Sequence, residues 1–272
     1  MKQTVLDKIH SCEFEILNEV VNLCEKHDIN YLLFFGTLLG SVRHKGFIPW
    51  DDDIDIAMPR NEYNRFLKIA QEELSEKFLL EHISFNKNYY LPFIKVKNKN
   101  TEYVEEQGIS FLGNKGLWID IFPLDYVNLK QNKKFLKLRL RIINLFSAIS
   151  LRKILKLNIF NKKINFLSKV FSNSLSLKLV DLLCLSKKSD YYVCYLAGKD
   201  PLKNIFSVND IFPLKKNLFC GKKYNIPNNY DAVLKTLYGD YMKLPPIEKR
   251  STHNPISVKF ENGEVINFRK EE

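Results

Sequence analysis

The chain lacks acidic residues over a long stretch. No Asp or Glu occurs from Tyr126 through Val180, 55 residues that hold thirteen Lys or Arg. The formal net charge is +11, so the remainder of the chain is nearly neutral and the basic character belongs to this one segment. Such localisation points to a local anionic partner rather than to general solubility. Long apolar runs are missing too: none reaches the roughly 18 residues of a membrane-spanning helix. The opening Met1–Asp7 has no apolar centre of the kind a signal peptide needs. The five cysteines, Cys12, Cys24, Cys184, Cys194 and Cys220, form no Cys-x-x-Cys pair and read as reduced thiols of a cytosol. No His/Cys cluster has zinc-site spacing. Gly113-Asn114-Lys115-Gly116 is a turn without the spacing of a phosphate-binding P-loop. There is no internal repeat and no low-complexity tract.

What is present is an ordinary globular composition, 45% hydrophobic over 272 residues, enough for one large domain or two small ones. Val5, Ile9, Cys12, Ile16, Val20 and Leu23 recur at spacings of three and four and predict an amphipathic helix. Tyr31–Phe35 reads as a buried strand ending at Gly36-Thr37, with a helical turn after it. Pro59 ends a second strand, and Asn61 is placed to cap a helix running to about Leu74. Strands follow near Phe93–Val96, Thr101–Val104 and Leu117–Phe122. The stretch Phe212–Pro246 reads as loops with a helix near Tyr230–Leu237.

The most informative segment is Phe47–Met58, in which Asp51, Asp52, Asp53 and Asp55 stand among apolar residues. Ile54, Ile56 and Met58 alternate with Asp53 and Asp55, as in a strand with one buried face. A period of two puts Asp51, Asp53 and Asp55 on one side and turns Asp52 away, so Asp52 is expected to matter little. Carboxylates this close repel one another, and a divalent cation with oxygen ligands, Mg²⁺ or Mn²⁺, relieves the repulsion. Asp120, flanked by Ile119 and Ile121, is a candidate third carboxylate from a neighbouring strand. Backbone amides after Gly36, at a helix start, suit a phosphate. The ordering fits metal-dependent phosphoryl transfer.

Residues Gly36 to Ile56, containing Gly36-Thr37-Leu38-Leu39-Gly40-Ser41 and Pro49-Trp50-Asp51-Asp52-Asp53-Ile54-Asp55, resemble the signature of the LicD family. That family includes bacterial phosphocholine transferases and is related to fukutin-type ribitol-phosphate transferases. Trp118–Asp125 resembles its second block. Leu237–Tyr241 with Pro245-Pro246 resembles its C-terminal block. The resemblance implies an α+β fold with a nucleotidyltransferase-type mixed sheet core flanked by helices. It implies transfer of phosphocholine or a related alditol phosphate from a CDP-linked donor to a glycan acceptor, with CMP leaving. Carried over by position, Asp53, Asp55 and Asp120 are metal ligands and Asp51 is linked to the metal. Gly36 and Thr37 form the phosphate seat. Read from their position between that seat and the acids, Arg43, His44 and Lys45 either contact the diphosphate or form a solvated basic turn. Lys249, Arg250 and His253 either close over the site or form a polar tail. His10, His27 and His82 read as surface or cap residues.

The expected organisation is a catalytic core over 1–125, a basic helical insertion over 126–200, and a C-terminal segment over 201–272 that completes the catalytic domain. In the insertion, Phe135, Leu138, Ile142, Leu145 and Ile149 form an apolar stripe, with Lys134, Lys137 and Arg141 on another face. Two readings stand: a patch for an anionic membrane surface, serving a lipid-linked acceptor, or a helical insertion that closes its own small core. No nucleic-acid-binding motif is present, and nucleic acid is not an expected partner. The expected location is cytoplasmic, with peripheral contact at the inner face of the membrane in the first reading. Two rival activities share these features: nucleotidyl transfer from an NTP, and a non-enzymatic membrane-binding protein with a structural cation.

Overall fold

A computed structural model describes residues 3–105, 115–130, 133–155, 162–185, 187–195, 204–250, 252–253 and 255–268. The expected turn at Gly113-Asn114 lies outside them. Helix α1 (Gln3–Lys26) has Ile9, Ile16 and Val20 fully buried, as the spacing predicts. After it come β1 (Leu32–Leu33), α2 (Phe35–His44), β2 (Asp55–Pro59), α3 (Arg60–Glu73), β3 (Phe78–Glu81), β4 (Ile94–Asn98), β5 (Glu102–Glu105) and β6 (Trp118–Tyr126). Helices α4 (Lys133–Leu155), α5 (Lys162–Val170) and α6 (Asn173–Cys184) lead to β7 (Tyr191–Val193) and β8 (Ile205–Ser207). The chain then forms α7 (Val208–Ile211), β9 (Lys215–Phe219), β10 (Lys222–Ile226), α8 (Tyr230–Tyr238), β11 (Pro255–Lys259) and β12 (Val265–Asn267).

The main sheet has the order β1-β2-β6-β4-β3, with β7 and β8 continuing from the far end of β6. Strand β6 is the hub. Its first half pairs antiparallel with β4, its middle pairs parallel with β2, and its end pairs antiparallel with β7. This mixed sheet with helices packed on it is an α+β fold. Burial of β6 on both sides explains why its sequence is apolar apart from Asp120 and Asp125 and the closing Tyr126. Strand β4 alternates instead. Ile94 and Val96 enter the core, while Lys95 and Lys97 form ion pairs with Asp120 and Glu81, each at 2.6 Å.

Several boundaries differ from expectation. Gly36 lies inside the first turn of α2 rather than at a strand end, because the helix already starts at Phe35. Asn61 does not cap α3; Pro59 occupies that position, and the Asn61 amide donates to Glu62. The region read as loops after Phe212 contains the β9–β10 hairpin. Its turn residues Cys220 and Gly221 both have positive φ, 47° and 80°, as a tight two-residue hairpin turn requires. Cys-Gly and the lysines of both strands hide this hairpin from pattern reading.

In α4 the face that meets α6 lies beside the apolar stripe read from the sequence, of which only Ile149 is fully buried. Leu136, Leu140 and Ile143 pack with Val180 and Cys184 of α6 and Val193 of β7. Phe135 and Leu138 of the expected stripe are 61% and 52% exposed. The helical unit is nevertheless tied to the sheet. The amide of Asn173 on α6 donates to the carbonyls of Lys87 and Tyr89, and the Ser150 hydroxyl of α4 donates to that of Tyr90. Arg60, at the start of α3, forks onto both oxygens of Asp125 at 2.8 Å and also reaches Asp181 of α6 at 3.4 Å. Among the described residues no helix is long and apolar enough to cross a membrane.

The Arg60–Asp125 pair yields a stability prediction. Asp125 is 1% exposed, so removing its partner leaves a buried charge uncompensated. Arg60→Met should cost about 3–5 kcal/mol in chemical denaturation. The double variant Arg60→Met/Asp125→Leu should recover much of that loss. A single variant as stable as the parent would show that the pair holds nothing together.

Candidate active site

The parallel pairing of β2 with β6 sets Asp55 directly across from Asp120, and the antiparallel pairing of β4 with β6 sets Lys95 across from Asp120 on the other side. Cross-strand partners point to the same face. Three neighbouring strands therefore present two carboxylates and one ammonium in a row. Asp53 precedes the strand, and Asp51 lies in the loop before it. Asp51, Asp52, Asp53, Asp55 and Asp120 line a cavity of about 780 Å³, walled by Phe35, Trp50, Phe93, Phe122 and Tyr238 and edged by Gly36 and His253.

Helix α2 is fixed against this row by its own residues. The Thr37 hydroxyl accepts from the Asp55 amide at 2.8 Å, and the Phe34 amide donates to the Asp55 carbonyl at 3.0 Å. Thr37 thus aligns the helix start with the acid strand, and its side chain does not line the cavity. Gly36 does line it. A Cβ there would stand 2.6 Å from Asp51 Oδ2, so only glycine lets the carboxylate approach the backbone this closely. Phe35 has φ of 39°, an uncommon backbone for a non-glycine residue and a local strain at the cavity wall. No side chain caps the start of α2.

Arg43, His44 and Lys45 sit at the opposite end of α2, outside the cavity wall. Arg43 donates to the Tyr241 carbonyl at 2.7 Å and to His44 Nε2 at 2.9 Å. The His44 ring meets Trp50 edge-on, and Lys45 Nζ donates to the Val42 carbonyl. Arg43 thereby binds the C-terminal block to α2, while the side chains of His44 and Lys45 make local contacts. Arg250 stacks its guanidinium 4.4 Å over Trp50 and thereby shapes the rim.

Asp52 turns out to be a structural anchor, contrary to its expected unimportance. It is 1% exposed, and it accepts the Tyr103 hydroxyl at 2.5 Å and the His253 amide and Nδ1, both at 3.0 Å. Burial raises its pKa, but the hydrogen bonds from His253 and Tyr103 outweigh burial and hold it below the usual range. His253 is thereby fixed at the site, with Nε2 4.0 Å from Asp53 Oδ2, rather than lying in a loose tail. His10, half-buried, also holds the site: it stacks on Phe47 at 3.8 Å, and its Nε2–H donates to the Asp51 carbonyl at 2.7 Å.

The electrostatic field is strongly negative. Burial, with Asp53 and Asp52 nearby, pushes Asp51 up to about 7. Burial pushes Asp53 up to about 6, with His253 opposing and Asp120 adding to the rise. Asp55 is raised well above its ordinary value by burial and by Asp53 and Asp120. Glu13 on α1, which the sequence reading passed over, is buried and raised well above normal by burial and by the same aspartates. Its Oε2 has no hydrogen-bond partner. Its signal was available: position 13 continues the three-and-four spacing of Ile9 and Ile16. Lys95 was equally legible only after its register was known.

A hard divalent cation suits this donor set, which is all carboxylate oxygen under mutual repulsion. The set is not drawn into a finished cage. Among the described residues no three potential ligands converge as a metal centre, and Asp120 Oδ1 is held by Lys95 instead.

The raised carboxylates make folding pH-dependent with a definite sign. Asp51 and Asp53 bind protons more tightly in the folded chain than at their ordinary 3.8. The folded state therefore holds extra protons from pH about 4 to about 7, and stability falls as pH rises through that window. The thermal midpoint of metal-free protein should drop across it, and less steeply for Asp53→Asn. Added Mg²⁺ should raise the midpoint most at pH 7. A flat or rising profile would contradict the buried-acid field.

Known proteins share this arrangement of sequence. Residues 28–141 match the family described as LicD/FKTN/FKRP, nucleotidyltransferase domain. The chain is 30% identical over 269 residues to the lipopolysaccharide cholinephosphotransferase LicD of Haemophilus influenzae, covering 93% of this chain and 97% of that protein. An uncharacterized protein of Rickettsia typhi is 33% identical over 78 residues, 29% of this chain and 24% of its own. One of Rickettsia prowazekii is 44% identical over 45 residues, 16% of this chain and 17% of its own. With a relative this similar along nearly its whole length, and with the acid strand inside the matched domain, the chain belongs to the LicD family.

Proposed function

We propose that the protein transfers phosphocholine from CDP-choline to a hydroxyl of a cell-surface glycan, with a divalent cation, Mg²⁺ or Mn²⁺, at the carboxylate row. The observation that carries this reading is the pairing of Asp55 with Asp120 across β2 and β6, with Asp53 beside them in one cavity. The relative's name supplies the choline phosphate and the lipopolysaccharide acceptor. Asp53, Asp55 and Asp120 would hold the cation, with Asp51 linked to it. When bound, it would neutralise charge on the diphosphate and the transferring phosphoryl group.

The chain's own residues account for the rest. Gly36, against which the Asp51 carboxylate lies, adds no side chain to the cavity wall at the start of α2, and the uncapped amides there would meet the donor phosphates. Phe35, Phe93 and Phe122 form a contiguous aromatic wall, with ring centroids 5.4 and 4.5 Å apart along the chain of contacts. Such faces attract a quaternary ammonium through their quadrupoles. They make choline a better fit than an alditol, which calls for hydrogen-bonding groups. Lys95 restrains Asp120 and places a positive charge beside the phosphoryl path. In the reaction the acceptor oxygen forms a bond to the phosphorus of phosphocholine and the bond to CMP oxygen breaks. The hydroxyl proton passes to a carboxylate of the cluster.

Incubation with CDP-choline, Mg²⁺ and a lipopolysaccharide acceptor should release CMP, read by phosphorus NMR. Release of pyrophosphate from an NTP would instead identify nucleotidyl transfer. Asp53→Asn, Asp55→Asn and Asp120→Asn should each lower turnover on the order of 100-fold or more with the fold intact. Near-parental rates in all three at saturating Mg²⁺ would refute the cation assignment. Gly36→Val should weaken CDP-choline binding at least about tenfold by calorimetry, since its side chain meets Asp51. Unchanged donor affinity in that variant would move the phosphates elsewhere.

A further inference from the structure

Helix α4 carries two apolar stripes, and its own core uses only one of them fully. The first, Leu136, Leu140 and Ile143, is buried against α6 and β7. The second is Phe135, Leu138, Ile142, Leu145 and Ile149, at spacings of three and four. Its exposure falls along the helix: Phe135 and Leu138 are open, Ile142 and Leu145 half-buried, and Ile149 fully buried. The closed end lies where neighbouring chain comes alongside. There Arg152 Nε donates to Asn165 of α5 at 2.7 Å, and the Phe146 and Phe171 rings meet edge-on at 5.3 Å. The open end has no such cover among the described residues.

The open end is also the basic end. Lys134, Lys137 and Arg141 are all exposed on the same outward side as Leu138, so the cations flank the stripe rather than occupy a separate face. The positive end of the helix dipole adds to their field. Helix α5 repeats the pattern: Phe166 and Val170 are 65% and 63% exposed, with Lys162 and Lys169 exposed nearby in the helix. Neither α4 nor α5 contains an acidic residue. An apolar partner alone would not call for these cations, and a polyanion alone would not call for exposed Phe and Leu. The surface that offers both anionic headgroups and hydrocarbon is a bilayer.

We infer that the open half of α4, with Phe135, Leu138, Lys134, Lys137 and Arg141, docks the enzyme on an anionic lipid bilayer, lying in the headgroup plane. The lysine and arginine stems would extend to phosphates while Phe135 and Leu138 enter the acyl boundary. Because Arg60 fixes the helical unit to the sheet, and Asn173 and Ser150 fix it to the β3–β4 connection, docking there holds the catalytic cavity at a set position relative to the membrane. This inference is independent of which group the enzyme transfers.

The test is co-sedimentation of the full chain with phosphatidylglycerol–phosphatidylcholine vesicles and with pure phosphatidylcholine vesicles. Binding should require the anionic lipid and weaken as salt rises. Lys137→Glu/Arg141→Glu should lower vesicle affinity at least about tenfold. Phe135→Ser/Leu138→Ser, both at exposed sites, should lower it severalfold while leaving retention on heparin unchanged. Circular dichroism and turnover on a short soluble acceptor should match the parent in both variants. The inference fails if the parent ignores anionic vesicles. It fails if the apolar variant binds vesicles as the parent does, which would leave only polyanion attraction. It also fails if the parent is a dimer that the apolar variant dissociates, which would make the stripe an interface between two copies.

Discussion

Like charges held at close quarters in a partly buried cavity are the constraint on which the rest of this structure depends. Asp55 and Asp120 face one another because β2 and β6 run parallel in a register that a one-residue slip would destroy. Much of the surrounding structure maintains that register. Thr37 ties α2 to the Asp55 amide, and the Asp120 amide donates to the Ile54 carbonyl. Lys95 supplies one positive charge, too little for the number of acids present. The fold carries like charges at close quarters, with Asp51, Asp53 and Asp55 raised above their ordinary range, and the surrounding core must outweigh that repulsion.

A second layer of contacts holds the loop that carries the acids. His10 reaches it from the first helix and His253 from the C-terminal segment. Gly36 and Gly40 give it room: a Cβ at Gly40 would stand 2.4 Å from the Gly46 carbonyl oxygen. The tryptophan in this loop is part of the same scaffold, half-buried at the cavity rim and stacked by Arg250. Rigid support of this kind is what phosphoryl-group chemistry needs, since positioning and charge stabilisation account for most of its rate.

The sequence made the acid strand, the second strand with its lone Asp120 and the first helix legible, because each depends on local periodicity. It did not make their partners legible. Lys95 looks like the polar face of any alternating strand until β4 is known to lie beside β6. Glu13 sits on an apolar stripe, an anomaly that periodicity registers, but its role needs the packing of α1 against the acids. Asp52 was misread because strand alternation was extended into residues that are loop, where a side chain's direction follows its hydrogen bonds and not the pleat. The two stripes of α4 show the same limit. Spacing picks out one of them, and only packing against α6 shows that the core takes the other.

The clamp on Asp52 carries a consequence for how the protein is made. Its partner His253 is 201 residues further along the chain. Contacts of such separation form late, after the loop entropy between them has been overcome. On the ribosome, the first helix, the acid loop and the central strands all emerge long before residue 253. Until then the acid loop has no donor from the C-terminal segment, and a carboxylate destined for burial stays in water. The clamp on Asp52 therefore closes only after residue 253 has emerged, and a shorter nascent chain holds the central strands without this anchor.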